Sequence, residues 1–170
     1  MRGTVICTGA EPASASLDSH ALVKMMQNSS VTGAFFPPTM LGLLVVTPGF
    51  DGLTCLRNCV IGAERLHISL AKRATAALPS CTFANYYGPT EATISITACR
   101  LDPKQLAAGK VPIGRPITGA ALYLRQNSGT MLPIAEGVSG ELCVAGPMVA
   151  CGYLGDTAKT KEVSHWRCRT

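Results

Sequence analysis

The chain has 170 residues, of which 47% are hydrophobic and 15% are charged, and its formal net charge is +5. A composition this apolar and this weakly charged excludes a disordered chain and predicts a folded domain or a part of one. Lysines and arginines are scattered from Arg2 to Arg169 without a basic cluster, so no nucleic-acid partner is predicted.

The apolar stretches and the cysteines indicate neither a membrane protein nor a secreted one. The longest apolar run, at 33–46, is interrupted by Pro37 and Pro38 and is too short to span a membrane. The N-terminal residues lack the pattern of a secretory signal, so we expect a cytoplasmic location. Because the eight cysteines include no C-x-x-C pair, the sequence favours reduced, mostly buried thiols over disulfides or zinc ligands.

Strand-like and helix-like segments alternate through the first part of the chain. Runs of β-branched and aromatic residues predict strands at 4–8, 31–36, 55–62 and 81–87, and helices are predicted at 19–28, 37–45 and 67–78. Asp18 is a predicted N-cap, Pro37 and Pro38 open the second helix, and Pro79 ends the third. The alternation predicts an α/β fold in which helices flank a parallel sheet.

The pattern changes after Cys99. A connector rich in proline and glycine at 100–120 precedes three short predicted strands at 121–126, 130–134 and 140–146. The polar stretch at 157–170 predicts little contribution to a core. We therefore divide the chain into an α/β part at 1–98, a connector with a small β-barrel-like part at 99–163, and a divergent tail at 164–170.

The segment NYYGPTE, at 85–91, is the first candidate for a functional site. In an open parallel sheet, ligands bind in the crevice at the carboxyl ends of the strands, and this segment leaves such an end. Gly88 and Pro89 predict a turn that presents Thr90 and Glu91, a hydroxyl suited to a phosphate and a carboxylate suited to Mg²⁺. From these residues alone, an ordinary turn with a capping threonine remains the alternative.

Four further segments accompany NYYGPTE, and we take the five together. They are GAFFPPTML at 33–41, VIGAERL at 60–66, VPIGRPITGAALYL at 111–124 and GELCVAGPMVACGYLGD at 140–156. In this order they resemble the adenylate-forming (AMP-binding) enzyme superfamily, most closely the adenylation domains of nonribosomal peptide synthetases. The resemblance covers residues 3–163 and implies a fragment of the large N-terminal domain of such enzymes.

The resemblance implies a reaction, its cofactors and its partners. Members of the superfamily couple an amino acid or a related carboxylic acid to ATP with Mg²⁺, which gives an acyl adenylate and pyrophosphate. The acyl group then passes to the phosphopantetheine thiol of a peptidyl carrier domain in the parent protein. The stretch GVSGE, at 137–141, lacks the G-x-S-x-G spacing of a hydrolase.

The resemblance also implies roles for individual residues at the nucleotide site. Asn85 is similar to the residue that bonds the adenine amino group, and Tyr87 to the ring that stacks on adenine. Thr90 and Glu91 are the implied catalytic pair, contacting the α-phosphate and Mg²⁺ respectively. The implied nucleotide-binding residues are Gly62, Ala63, Glu64, Asn85, Tyr86, Tyr87, Gly88 and Thr90.

An acyl pocket follows from the same resemblance. Its implied walls are Phe35, Cys59, Ile61, Tyr86, Ile94 and Ser95. Two bulky aromatic residues and no charge predict a small or flat apolar side chain on the substrate. The same six residue types also suit a plain sheet interior, so that alternative stays open.

Other segments typical of the superfamily are not found in this sequence. They are the Ser/Thr/Gly-rich phosphate loop with its lysine, the aspartate for the substrate amino group, the Thr-Gly-Asp ribose segment, and the catalytic lysine of the small C-terminal domain. We therefore expect the middle of an adenylation domain, inactive by itself. The alternatives are a non-catalytic remnant that binds nucleotide weakly, or part of an acyl-CoA ligase or reductase of the same superfamily.

Overall fold

The structure, a computed structural model, describes residues 18–163. The strand predicted at 4–8 and the tail at 164–170 lie outside the described residues. Five α-helices occur in the described part: α1 Ser19–Asn28, α2 Pro38–Leu44, α3 Ile68–Ala77, α4 Pro103–Ala107 and α5 Thr157–Val163.

The first three helices are those that the sequence predicts. The Asp18 carboxylate accepts hydrogen bonds from the backbone N–H groups of His20 (2.9 Å) and Ala21 (3.2 Å), as the predicted N-cap requires. Pro38 occupies the first turn of α2, where its missing N–H costs nothing. α4 and α5 are short helices within stretches predicted to be a connector and a polar tail, and α5 has no buried residue.

The described strands form two sheets. The strands are β1 Gly33–Phe36, β2 Asn58–Ile61, β3 Thr82–Tyr87, β4 Thr97–Arg100, β5 Arg115–Pro116, β6 Ala121–Arg125, β7 Met131–Pro133 and β8 Glu141–Ala145. The first sheet has the order β1-β2-β3-β4-β5 and the second, antiparallel throughout, the order β7-β6-β8. This arrangement confirms the predicted α/β sheet followed by a small β part.

The first sheet is mixed rather than wholly parallel. β1, β2 and β3 are parallel, whereas β4 is antiparallel to β3 and β5 is antiparallel to β4. Residues 88–96 join β3 to β4, and this connection is too short for the crossover of a dozen or more residues that parallel strands require. β4 crosses the predicted boundary at residue 98, and β5 extends the first sheet to Pro116.

One face of the first sheet carries the hydrophobic core. Because side chains alternate along a strand, Phe36, Ile61 and Phe83 share this face. They belong to one buried cluster with residues of the three predicted helices, namely Val23, Met26, Leu41, Leu44, Ala71 and Ala74. Phe35, on the opposite face, is 49% exposed. One face of the sheet is therefore covered by helices, whereas the other face is accessible at Phe35.

The six cysteines within residues 18–163 are free thiols. Burial raises the pKa of Cys59 to about 12 and that of Cys81 to about 11. Both thiols are therefore protonated and unreactive near neutral pH, whereas Cys55 and Cys151 are exposed. Over the same residues, no cluster of three or more His, Cys, Asp or Glu side chains is placed to hold a metal ion. None of the described helices has the length and apolarity to cross a bilayer.

Thr97 carries a buried hydroxyl for which the described residues offer no hydrogen-bond partner. The side chain is 0% exposed, so the hydroxyl has lost water without compensation. We expect Thr97→Val to raise the free energy of unfolding by about 1 kcal/mol, measured by urea denaturation. Thr47→Val is the matched control, because the similarly buried Thr47 hydroxyl donates to the Leu43 carbonyl (2.9 Å) and its loss should destabilise. A stabilising Thr47→Val, or a destabilising Thr97→Val, would contradict this explanation.

Candidate nucleotide-binding site

A cleft of about 500 Å³ lies at the carboxyl ends of β2 and β3. Three segments line it: the turn from β2 into α3, the end of β3, and the connector after α4. The lining residues are Ala63, Glu64, Arg65, Leu66, His67, Ile68, Asn85, Tyr86, Tyr87, Gly88, Gly109, Val111 and Ile113. The volume is within the range of small-molecule sites, and the position is the usual ligand position in α/β proteins.

Asn85 joins two walls of this cleft. The side chain is 6% exposed, and its Nδ2 donates to the backbone carbonyl of Pro112 (3.0 Å). This bond connects β3 to the connector segment that forms the opposite wall. The amide oxygen Oδ1 is an acceptor, so the residue suits a ligand that offers an N–H donor.

Two tyrosines follow Asn85 in the cleft wall. Tyr87 is 43% exposed, which leaves its ring accessible to a flat ligand, and Tyr86 is half-buried. Of the implied nucleotide-binding residues, Ala63, Glu64, Asn85, Tyr86, Tyr87 and Gly88 line the cleft, whereas Gly62 and Thr90 do not. The structure thus brings six of these eight residues together around one cavity.

Gly62 immediately precedes the cleft turn, and a side chain there would be tightly packed. A Cβ there would lie 3.1 Å from the Tyr86 carbonyl oxygen and 3.3 Å from the Phe35 ring. The next residue, Ala63, has a left-handed backbone with φ of 72°. A non-glycine residue in this region is strained, by about 1 kcal/mol or more, and such strain is common at ligand sites.

The Glu64 carboxylate has a protein partner of its own. It accepts hydrogen bonds from the backbone N–H (3.1 Å) and the hydroxyl (2.9 Å) of Thr39, in the first turn of α2. A carboxylate at this position satisfies an otherwise unpaired N–H and interacts favourably with the positive end of the helix. Glu64 therefore anchors the cleft turn to α2, a structural contact that sequence reasoning did not predict.

Thr90 and Glu91 lie in a 3₁₀ turn, Thr90–Ala92, immediately after the cleft-lining Gly88. Thr90 is exposed and Glu91 is half-buried, and neither is among the lining residues of the cleft. The backbone carbonyl of Glu91 accepts from the N–H of Ala150 (2.7 Å). The turn lies next to the cleft, and a residue that follows the second sheet helps to hold it in place.

The Glu91 carboxylate contacts a residue that sequence reasoning did not assign to the site. Its Oε1 accepts a hydrogen bond from the hydroxyl of Tyr153. This bond lowers the pKa of Glu91 and raises that of Tyr153, because each is favoured in the protonation state that preserves the bond. Tyr153 belongs to the glycine-rich segment at 140–156, one of the five segments that carry the family resemblance, to which no site residue was assigned. The only sequence signal was the tyrosine between Gly152 and Leu154.

The structure does not bring the six implied acyl-pocket residues together. Cys59 and Ile61 are 1% and 0% exposed and lie in the helix-covered core, on the opposite face of the sheet from Phe35. Phe35 pairs with Val60, and side chains alternate along a strand. Val60 and Gly62, each one residue away from Ile61, therefore lie on the same face of the sheet as Phe35 and Tyr86. The structure therefore places Cys59 and Ile61 in the core, away from the face that Phe35 and Tyr86 share.

The other two implied pocket residues lie in the turn between β3 and β4. Ile94 is 72% exposed and Ser95 is half-buried. Thr93 and Ile94 both have a left-handed φ, of 52° and 74°, which is unfavourable for β-branched side chains. The Thr93 hydroxyl donates to the Met148 carbonyl (2.7 Å), and this bond helps to hold the strained turn.

The donor groups beside the cleft suit magnesium. Glu91 offers one carboxylate, and the adjacent Thr90 offers an exposed hydroxyl. Mg²⁺ is usually held by one or two protein carboxylates, with substrate phosphates and water completing its octahedral coordination. The residues present therefore fit a magnesium ion that enters with a nucleotide.

Comparison with known proteins identifies the class to which this α/β fold and cleft belong. The model of the AMP-binding enzyme family matches residues 2–154. The chain belongs to this family. Two similar curated proteins are indigoidine synthase from Dickeya dadantii, 37% identical over 143 residues, and tyrocidine synthase 3 from Brevibacillus parabrevis, 32% identical over 152 residues. These matches cover 83% and 87% of this chain.

Solved structures agree with this assignment. An NRPS protein containing adenylation and PCP domains matches with a TM-score of 0.76 and 29% identity over 87% of this chain. The Vibrio cholerae adenylation domain AlmE, in complex with glycyl-adenosine-5'-phosphate, matches with a TM-score of 0.71 and 28% identity over 84%. The resemblance to nonribosomal peptide synthetase adenylation domains is confirmed.

The chain corresponds to a part of each of these proteins. It covers 10% of indigoidine synthase and 2% of tyrocidine synthase 3. It covers 30% and 28% of the two solved chains. The chain is therefore similar to a fragment of an adenylating domain.

Proposed function

We propose that this chain forms the adenine- and magnesium-binding part of a domain that activates a carboxylic acid with ATP. The product is an acyl adenylate with release of pyrophosphate, and the parent protein passes the acyl group to a carrier thiol. The observation that supports this proposal is a cleft at the carboxyl ends of β2 and β3 that contains Asn85 and Tyr87, in a chain of the AMP-binding enzyme family.

Asn85 and Tyr87 would recognise the adenine base. The Oδ1 of Asn85 would accept from the adenine amino group, while its Nδ2 remains bonded to Pro112. The accessible ring of Tyr87 would stack on the base, an interaction of about 1–3 kcal/mol. Together these contacts would favour adenine over bases that present a carbonyl at the same position.

The chemistry of the proposed reaction is an in-line attack of the substrate carboxylate on the α-phosphorus. Two anions must approach each other, so alignment and charge neutralisation matter more than proton transfer. Thr90 would donate a hydrogen bond to the α-phosphate, and Glu91 would hold Mg²⁺. The metal, when bound, supplies the positive charge that neutralises the phosphates.

The carboxylic acid substrate would bind at the face of the first sheet that is opposite the hydrophobic core. Phe35 is half-exposed there, its ring lies over Gly62, and Tyr86 and Val60 share the face. These side chains are uncharged, apolar or aromatic, and suit a small or flat apolar group. The proposed walls are therefore Phe35, Val60 and Tyr86, in place of Cys59 and Ile61.

The proposed acceptor of the acyl group is a phosphopantetheine carrier. The solved relative that contains both adenylation and PCP domains supports this choice over coenzyme A. The adenylation domain solved in complex with glycyl-adenosine-5'-phosphate supports an amino acid as the activated acid. Because the chain spans a small part of these proteins, we assign turnover to the parent protein and nucleotide binding to the chain.

The experiment is ATP binding to the 170-residue chain, measured by calorimetry with MgCl₂ present. Tyr87→Ala should weaken ATP binding at least about tenfold, because base stacking is lost. Tyr123→Ala is the matched control, since Tyr123 has a similar exposure (40% against 43%) but lies on β6, away from the cleft. Equal ATP affinity of Tyr87→Ala and the wild-type chain, or no ATP binding at all, would overturn the proposal.

A further inference from the structure

Three hydrogen bonds connect the turn that carries Glu91 to the segment that follows β8. The Ala150 N–H donates to the Glu91 carbonyl (2.7 Å), and the Thr93 hydroxyl donates to the Met148 carbonyl (2.7 Å). The third bond runs from the Tyr153 hydroxyl to Oε1 of Glu91. The last of the three is the one made by the Glu91 side chain itself, so Tyr153 restricts the orientation of the carboxylate.

Tyr153 is itself held in place on its own segment. Its backbone N–H donates to the hydroxyl of Thr160 in α5 (2.9 Å), which in turn donates to the Asp156 carbonyl (2.8 Å). The preceding Gly152 has φ of 147°, and a Cβ there would lie 2.5 Å from the Thr160 side chain. The close packing of this turn fixes the backbone from which the tyrosine ring extends.

A basic side chain packs against the face of the ring. Lys159 Nζ is 4.5 Å from the centroid of Tyr153, within the range of a cation–π interaction. The Tyr153 side chain therefore contacts the Lys159 ammonium through its ring and the Glu91 carboxylate through its hydroxyl. Packing on one face and a hydrogen bond at the hydroxyl leave the ring few alternative orientations.

A tyrosine hydroxyl is a suitable partner for a metal-binding carboxylate. It is a neutral donor, so it fixes the carboxylate without cancelling the negative charge that attracts a cation. A lysine or arginine hydrogen-bonded in the same place would compete with the metal for that charge. The Lys159 ammonium, which packs against the ring, contributes less than the tyrosine hydroxyl to the lowered pKa of Glu91. Outer partners that orient a ligand in this way change metal affinity by about 10–100-fold.

We propose that Tyr153 is a positioning residue that holds the Glu91 carboxylate ready for the metal of a metal–nucleotide complex. The inference rests on the proposed function, in which Glu91 holds Mg²⁺. It adds a contribution of the small β part to the metal site, through a residue that does not line the nucleotide cleft. Docking of the segment at 148–153 and metal binding would therefore be linked.

The test compares ATP binding with and without a metal. The dissociation constant of ATP is measured by calorimetry for the 170-residue chain, once in EDTA and once with saturating MnCl₂, and their ratio gives the contribution of the metal. Tyr153→Phe removes the hydroxyl and keeps the ring. We expect it to reduce this ratio about tenfold and to leave the affinity for ATP in EDTA within about twofold of wild type.

Two control variants separate positioning from general structural support. Thr93→Val removes another of the three connecting bonds without touching the carboxylate, so the ratio should stay at the wild-type value. Tyr123→Phe removes a hydroxyl from β6 and should have no effect. If Tyr153→Phe lowers both affinities equally, or if Thr93→Val reproduces its effect, Tyr153 has a structural role and the proposal is overturned.

The wild-type chain distinguishes failure of this inference from failure of the proposed function. ATP binding that MnCl₂ does not strengthen would overturn the metal role of Glu91, and the role of Tyr153 with it, while the adenine site would stand. Binding that MnCl₂ strengthens equally in the wild-type chain and in Tyr153→Phe would overturn the role of Tyr153 alone.

Discussion

Replacing Gly88 with alanine is expected to lower the free energy of unfolding by about 3 kcal/mol and to weaken ATP binding. An added Cβ would lie 2.7 Å from both the Ile94 carbonyl oxygen and the Ser95 Cα, and 2.8 Å from the Ile96 nitrogen. All three are backbone atoms, so no side chain can rotate away. The turn would have to open, which would displace Thr90 and Glu91 from their position beside the cleft. Urea denaturation measures the first effect and calorimetry with ATP the second.

Gly42→Ala is the control for a glycine-to-alanine substitution that causes no steric overlap. Gly42 lies within α2, and its added Cβ would have Leu70 Cδ2, at 4.0 Å, as its nearest neighbour. Alanine is favoured over glycine in a helix, so this variant should be stabilised by up to about 1 kcal/mol. If Gly88→Ala were as stable as Gly42→Ala and bound ATP normally, the proposed link between this tight turn and the site would be wrong.

Much of the fold could be predicted from the sequence because local signals agreed with one another. Asp18, Pro38 and the periodicity of apolar residues define the ends and the buried faces of the first helices. The antiparallel strands β4 and β5 were not predicted, because Arg115–Pro116 is too short to give a pattern and Thr97–Arg100 follows a turn. Their position depends on pairing with β3, which is a tertiary property.

The structure brings together most of the residues implied for the nucleotide site but separates those implied for the acyl pocket, for a geometric reason. Asn85, Tyr87 and Gly88 are consecutive or nearly so, and all of them lie at the same end of β3, beside the cleft. In a strand, a shift of one residue moves a side chain to the other face of the sheet. Cys59 and Ile61 are buried on the core face, whereas Val60, between them, lies on the face of Phe35, and the sequence alone does not distinguish these faces.

Contacts between distant segments could not be predicted from local patterns. Glu64 bonds to Thr39, and Glu91 bonds to Tyr153, across 25 and 62 residues. Neither pair has a spacing or composition that marks it, because each is created by packing of elements that are remote in the chain. These contacts explain why two carboxylates predicted for ligand binding also have protein partners.

Gly114→Ala is expected to be the most destabilising of the substitutions considered, with a loss of more than about 4 kcal/mol in the free energy of unfolding. Gly114 has φ of 95°, and an added Cβ would lie 2.0 Å from the Ala98 carbonyl oxygen and 2.3 Å from its carbon. The overlap falls on β4, whose Ala98 pairs with Arg115 of β5. Separation of β5 from β4 would also displace Ile113 and Pro112, and with them the cleft wall that bonds Asn85.

Gly109→Ala separates the two causes of this loss. Gly109 also has a left-handed φ, of 74°, but a Cβ added there would meet no atom within 4 Å. Gly109→Ala should therefore lose only the free energy needed to hold a non-glycine residue in a left-handed conformation, about 1–2 kcal/mol. The difference between the two variants in urea denaturation isolates the overlap with β4. If both variants lost the same free energy of unfolding, β5 would be able to move away from β4 without a loss of stability. The connector wall would then be too loosely held to form a nucleotide site.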